Sequence, residues 1–171
     1  MRTRQGSLST SSKVHTYICA LTPEKMTAIC TAGPADLPQL ALIFDAYRRY
    51  YGQPAAVEAA HRFLAERMQQ GESVILIAEA EGQVVDFTQL YPIFTSLGLK
   101  KSLLLNDLFV DEAWRKRGIA TQLLEAAKRV AAERACQWLM LQTAMDNYTA
   151  QSVYEKNGWQ KVEDFLYQYN L

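Results

Sequence analysis

Two hydrophobic periods take turns along this 171-residue chain, with glycine or proline at most of the changeovers. Runs rich in apolar and β-branched residues alternate with runs whose apolar positions recur at helical spacing. No segment repeats another. In one chain of this length, that alternation predicts a single domain of α/β or α+β class, large enough to bury a core without staples. Residues 26–31 are expected as a short strand, and Gly33-Pro34-Ala35-Asp36 as a turn into a first helix. Asp36 is its expected N-cap, with Leu37, Leu40, Ala41, Phe44 and Tyr47 along one stripe. A second helix is expected over 55–70, ended by Gly71, then a strand over 73–79. Glu81-Gly82 should turn that strand back into 83–91, and Pro92 should stop it, leaving 93–101 as a loop or loose hairpin. Residues 102–110 are mostly apolar, as in a central strand covered on both faces. A helix over 119–134, a strand over 138–143 and a helix over 148–157 follow, then short strands at 159–162 and 165–169.

Composition removes several classes of function. The 18 basic and 18 acidic side chains cancel, which argues against nucleic acid or an anionic membrane as a partner. The apolar runs fall far short of the ~20 residues that span a bilayer. Cys19, Cys30 and Cys136 are scattered and odd in number, so neither a disulfide framework nor a metal site is expected, and a reduced, cytoplasmic protein is. Residues 1–25 are rich in Ser and Thr and carry no acid before Glu24, the composition of a disordered extension. The folded domain is therefore expected over 26–171, with Met26 a candidate natural start.

Chemistry concentrates in two places. The turn Arg115-Lys116-Arg117-Gly118-Ile119-Ala120 joins the apolar strand to a helix whose Ile119, Leu123, Ala126, Ala127 and Val130 share a face. The first amides of that helix lack intrahelical partners and carry the positive end of its dipole, so a phosphate would satisfy them. Gly118 would let a ligand approach the backbone, and the three cations add charge. Alone, the turn fits a solvated basic loop equally well. It is neither a P-loop nor a dinucleotide fingerprint. The second place is residues 146–159. Asn147 and Tyr154 stand seven apart, so on a helix they would share a face with Ala150 between them. A neutral phenol there could protonate a departing thiolate, although a lone tyrosine on such a helix also suits a core.

Together the strand Leu104-Leu105-Asn106-Asp107-Leu108-Phe109-Val110, the R-x-x-G-x-A turn Arg115–Ala120 and the N-x-x-A-x-x-x-Y-x-x-x-G-W block Asn147–Trp159 resemble the GNAT superfamily of N-acetyltransferases. The resemblance implies a mixed, mostly antiparallel sheet, flanked by about four helices and splayed open between the strand ending at Val110 and the strand 138–143 to admit acetyl-CoA. By the same resemblance, the backbone of Leu108, Phe109 and Val110 would pair with the pantetheine arm. Arg115, Lys116, Arg117, Gly118, Ile119 and Ala120 would hold the pyrophosphate. Asn147 would bind the pantetheine side, Tyr154 would act as general acid, and Asp107 is the leading candidate for general base. No metal is implied. Diamine and polyamine acetyltransferases carry a Glu-Asp pair where this chain has Asn106-Asp107, and many relatives have Gly where Asp86 stands. Tyr47, Tyr50, Tyr51, Gln89, Tyr91 and Asn106 are the candidates for acceptor contact. The expected acceptor is a small-molecule primary amine, with a protein N-terminus or lysine as the alternative. A silent acyl-CoA-binding module also stays open, although an intact Tyr154 argues against it. A homodimer is expected only by analogy.

Overall fold

The computed structural model describes residues 27–171; the expected N-terminal extension and Met26 lie outside them. Five strands, β1 (Thr27–Thr31), β2 (Val74–Ala80), β3 (Gln83–Thr95), β4 (Lys100–Val110) and β5 (Leu139–Leu141), form one sheet in sequence order. Neighbours are antiparallel up to β4, and β5 joins β4 in parallel. The helices α1 (Leu37–Tyr50) and α2 (Val57–Gln70) cover one face. On the other face lies α3 (Ile119–Glu133), with α4 (Tyr148–Lys156) beside it.

Each face has its own core. Leu40, Phe44 and Leu64 meet Ile77, Phe87 and Phe109 under α1 and α2. Leu123, Leu124 and Ala127 meet Leu76, Leu90, Leu103 and Leu105 under α3. Burying side chains of this size contributes about 1.5–3 kcal/mol each, so these two layers dominate stability. Glu81 and Gly82 both take left-handed backbone (φ 53° and 75°), the two-residue turn that matches strand twist. Two polar pins fix α1. Gln39 Oε1 accepts from the Val84 amide at 2.9 Å, and buried Asp45 accepts from the Ala56 amide at 2.7 Å while pairing with Arg49.

Several sequence expectations change. Asp36 holds the N-cap position of α1 as expected, but its carboxylate makes no capping bond there; it accepts from the Gly33 amide at 2.7 Å and closes the preceding 3-10 turn. Pro92 does not stop β3, which continues to Thr95 paired with β4. β2 pairs no further than Leu90, so one flank of β3 is open there and tolerates a residue without an N–H. Of the two expectations for 93–101, loop or loose hairpin, the hairpin is the one that forms. β5 is three residues long, not the expected six. The strands at 159–162 and 165–169 do not form, and Val162, Phe165 and Tyr167 lie exposed. A ladder as short as β5 gives a following strand little to pair with.

Two bulges matter for function. Val85 is an extra residue on β3, between the pairs Ala78–Asp86 and Glu79–Val84. Asn106 is an extra residue on β4, between the pairs Gln89–Asp107 and Leu90–Leu105. A bulge turns the following side chains to the other face. Leu105 thus faces α3, whereas Phe109 packs under α1.

Asp86 is fully buried, and neither carboxylate oxygen meets a hydrogen-bonding partner of good geometry among the described residues. Burial pushes its carboxyl well above the ordinary range, and the neighbouring Phe87 amide offsets only part of that. The unfolded chain therefore releases this proton at a lower pH than the folded one, so stability is lost as pH rises above the unfolded value of about 3.9. The melting-temperature advantage of Asp86→Asn over the wild type should widen from pH ~4 towards neutrality. Calorimetric melts across that range test this, and a gap independent of pH would contradict it.

Candidate active site

The strongest asymmetry in the sheet lies along β4. Its partner β3 follows it from Lys100 to Val110, whereas β5 pairs only with Leu103, Leu104 and Leu105. From Asn106 onward no described strand pairs with the β5-side edge of β4, so the sheet opens at Asn106, Asp107, Leu108, Phe109 and Val110. Leu108 and Val110 are half-buried, and Phe109 points into the α1 core.

Around this opening, four elements bring polar groups together. Asp107 is 7% exposed on β4, opposite Gln89 on β3. The Asn106 side-chain amide donates to both Asp107 oxygens at 3.1 Å, and the Tyr47 hydroxyl of α1 lies near enough to the same carboxylate to favour its charged form. Burial raises the Asp107 carboxyl above its ordinary range, and these two groups hold it partly back. Burial and the Asp107 charge push the Tyr47 phenol far up, so it stays a donor. Tyr91, also near Asp107, is pushed up to about 12 chiefly by burial. Thr88 Oγ1 anchors the bulged strand by donating to the Asp107 carbonyl at 2.8 Å.

Tyr154 arrives from the other end of the chain. It packs against Trp159 with ring centroids 6.2 Å apart, and Tyr47 and Tyr51 lie close enough for their charges to couple to its titration. Burial raises its phenol, so it is neutral and a hydrogen-bond donor at physiological pH. Asn157 and Lys128 tie α4 down: Lys128 Nζ donates to the Asn157 carbonyl, and Asn157 Nδ2 donates to Thr121 Oγ1 at 3.3 Å. Tyr51 and Tyr50 are 62% and 64% exposed and form a rim rather than a wall.

Asn147 departs from expectation. It does not share a helical face with Tyr154 but caps α4, its Oδ1 accepting from the Ala150 amide at 3.1 Å. That leaves Nδ2 as the group it can offer a ligand. The basic turn also has more local structure than its sequence suggested. Gly118 is left-handed (φ 77°) with open space where a Cβ would stand, and Lys116 is left-handed as well. Arg115 Nε donates to the Val110 carbonyl at 3.2 Å, with its guanidinium 5.6 Å from the Tyr50 ring. Arg117 folds over Trp114 and donates to the Ala113 carbonyl at 3.1 Å. Ile119 is core, and Ala120 is half-buried. The amides of Ile119, Ala120 and Thr121 precede the first intrahelical bond, Gln122 N–H to the Gly118 carbonyl. Ser73, whose Oγ accepts from Gln89 Nε2 at 2.8 Å, carried no sequence signal, because that partner lies on another strand.

An opened β4 edge beside a helix N-terminus is the geometry of one acyltransferase family, and the sequence model of the acetyltransferase (GNAT) family matches residues 40–159. The chain belongs to the GNAT acetyltransferase family. It is 41% identical over 136 residues to an uncharacterized N-acetyltransferase of Bacillus subtilis (strain 168), covering 80% of this chain and 91% of that one. A crystal structure of a probable acetyltransferase aligns with a TM-score of 0.77 and 38% identity, covering 84% of this chain and 95% of that chain. The structure of AAC(6')-Iy in complex with the bisubstrate analogue CoA-S-monomethyl-acetylneamine shares the fold, with a TM-score of 0.72 and 20% identity over 85% of this chain and 98% of that chain. This GNAT acetyltransferase is thus an acyltransferase of a family that uses acetyl-CoA. No described helix is long and apolar enough to cross a membrane.

If Tyr47 holds the Asp107 carboxylate, removing its hydroxyl should destabilise the ionised form. The Asp107 carboxyl in Tyr47→Phe should therefore titrate at higher pH than in the wild type, as read by carbon NMR of labelled aspartate. An unchanged or lower titration midpoint would disprove that contact.

Proposed function

We propose that this protein transfers the acetyl group of acetyl-CoA to a primary amine of a small molecule by direct attack, with Asp107 as general base and Tyr154 as general acid. The observation that carries the proposal is the convergence of Asp107, Tyr47 and Tyr154 at the point where β4 loses its β5 partner. The donor suits the residues present. The unpaired edge at Leu108, Phe109 and Val110 offers backbone groups to an extended pantetheine arm as an added strand would. The free amides of α3, with left-handed Gly118 and Arg115, Lys116 and Arg117 beside them, suit a pyrophosphate. Asn147 Nδ2 remains available to the arm.

The amine attacks as its neutral free base, and Asp107 takes the nitrogen's proton as the C–N bond forms. Burial makes that carboxylate a better base than an exposed aspartate. Tyr154 protonates the departing thiolate. Its raised phenol is a weaker acid than free tyrosine, but a thiolate leaving into the same dry cleft is also more basic, which preserves the driving force. Small amines are favoured as acceptors because the polar groups at this end, Asp107 and Gln89, are buried within the cleft. A cytoplasmic location suits the chain's small number of cysteines.

Tyr154→Phe should lower kcat by ~10²-fold or more with acetyl-CoA affinity unchanged. Unaltered turnover, read as free thiol release, would reassign the proton donor. At Gly118, Asn tolerates left-handed backbone and a β-branched residue does not, so Gly118→Asn should keep CoA binding while Gly118→Val loses ~10-fold or more. Equal affinities by calorimetry would move the phosphate site elsewhere.

A further inference from the structure

Gln89 stands out as a buried polar group that the proposed chemistry leaves unused. It is fully buried, its Nε2 donates to Ser73 Oγ at 2.8 Å and faces the Tyr91 hydroxyl, and its Oε1 meets no partner among the described residues. A buried carbonyl oxygen without a donor destabilises a fold, and an N–H from a ligand would offset that cost. The register says where that ligand sits. Gln89 pairs directly with Asp107, and directly opposed residues of an antiparallel pair share a face with Cβ atoms about 4.5–5.5 Å apart. The side chains of Gln89 and Asp107 are therefore direct neighbours on one face of the sheet, within the span of one small ligand group.

We infer that Gln89 is a specificity-determining residue that selects primary over secondary amines, by accepting one N–H of the acceptor nitrogen while Asp107 accepts the other. The inference rests on the acetyl-transfer reading above. An ionised carboxylate offers about four lone-pair positions. Asn106 uses two and the nearby Tyr47 hydroxyl can take a third, which leaves one for the amine. A neutral primary amine has two N–H groups and one lone pair. With one N–H on Asp107 and one on Gln89, its rotation is fixed and the lone pair faces the acyl carbon. The C–N bond then forms and the C–S bond breaks. The nitrogen's proton passes to Asp107, and the sulfur takes the proton of Tyr154. The amide product keeps its single N–H on Gln89. A secondary amine has no N–H left after transfer, so an alkyl group would face the buried Oε1. Ser73 is the positioning residue that holds the amide in this orientation.

The experiment compares kcat/KM for a primary amine found by an amine-panel screen and for its N-methyl analogue. It uses the wild type, Gln89→Met and Ser73→Ala, with melting temperature and CoA affinity measured for each. The wild type should prefer the primary amine by ~10-fold or more, the penalty for leaving a buried acceptor unpaired. Gln89→Met should cut activity on the primary amine and reduce the preference to within about 3-fold, with CoA affinity unchanged. Ser73→Ala should reduce the preference partway, and it carries the test should Gln89→Met fail to fold. A preference equal to wild type in a folded Gln89→Met or Ser73→Ala protein would overturn the inference while leaving acetyl transfer intact. Absence of acetylation for every amine, with CoA bound, would instead overturn the transfer reading and this inference with it.

Discussion

The one-sided pairing of β4 is the constraint on which the rest depends. β3 satisfies one edge of β4 along its whole length, and β5 satisfies only three residues of the other. Unpaired backbone in a half-buried strand costs free energy unless solvent or a ligand meets it. The fold thus keeps an unfilled strand position open, and the elements of the site are arranged around it. α3 begins beside its far end, α1 leans its tyrosines over it, and α4 brings Tyr154 to it from the end of the described chain.

The polar groups gathered there are expensive to bury, and each is offset locally. Asp107 has the Asn106 amide and the nearby Tyr47 hydroxyl, its carbonyl has Thr88, and Gln89 is held by Ser73. A satisfied hydrogen bond contributes only about 1 kcal/mol net, whereas an orphaned buried group costs about 1–3 kcal/mol. The network is therefore closer to a condition for burying these groups than to a source of stability. Stability comes from the two apolar layers. Asp86 is a buried carboxyl that only the Phe87 amide partly offsets, and no feature of the described structure explains its presence there.

Where a sequence signal was local, it was reliable. Glu81-Gly82 sets a hairpin because two left-handed residues fit only that turn, and Gly71 ends α2 in left-handed backbone. The stripe from Ile119 to Ala131 defines the buried face of α3. Signals that depended on neighbours failed. Pro92 breaks a strand only if the flank it faces is paired, and here that flank is open. The alternation after Trp159 resembles strands, yet strands need an edge, and β5 offers three residues. Asn147 stands at helical spacing from Tyr154 but lies at the cap, where its side chain turns back on the Ala150 amide.

By itself the sequence determined the class of fold and the helix start at Gly118, because turn chemistry and amphipathic period act over a few residues, and its resemblance to the GNAT superfamily implied the donor. It also marked Tyr154 and Asp107 as candidates. Only the tertiary structure set the Tyr47 hydroxyl beside Asp107, and made Asn106 a bulge whose amide steadies the same carboxylate. It also set Gln89 opposite Asp107 with a free oxygen. The physical reason is register: one extra residue on β4 changes which face every later side chain meets, and the sequence of β4 does not specify where its partner places that residue.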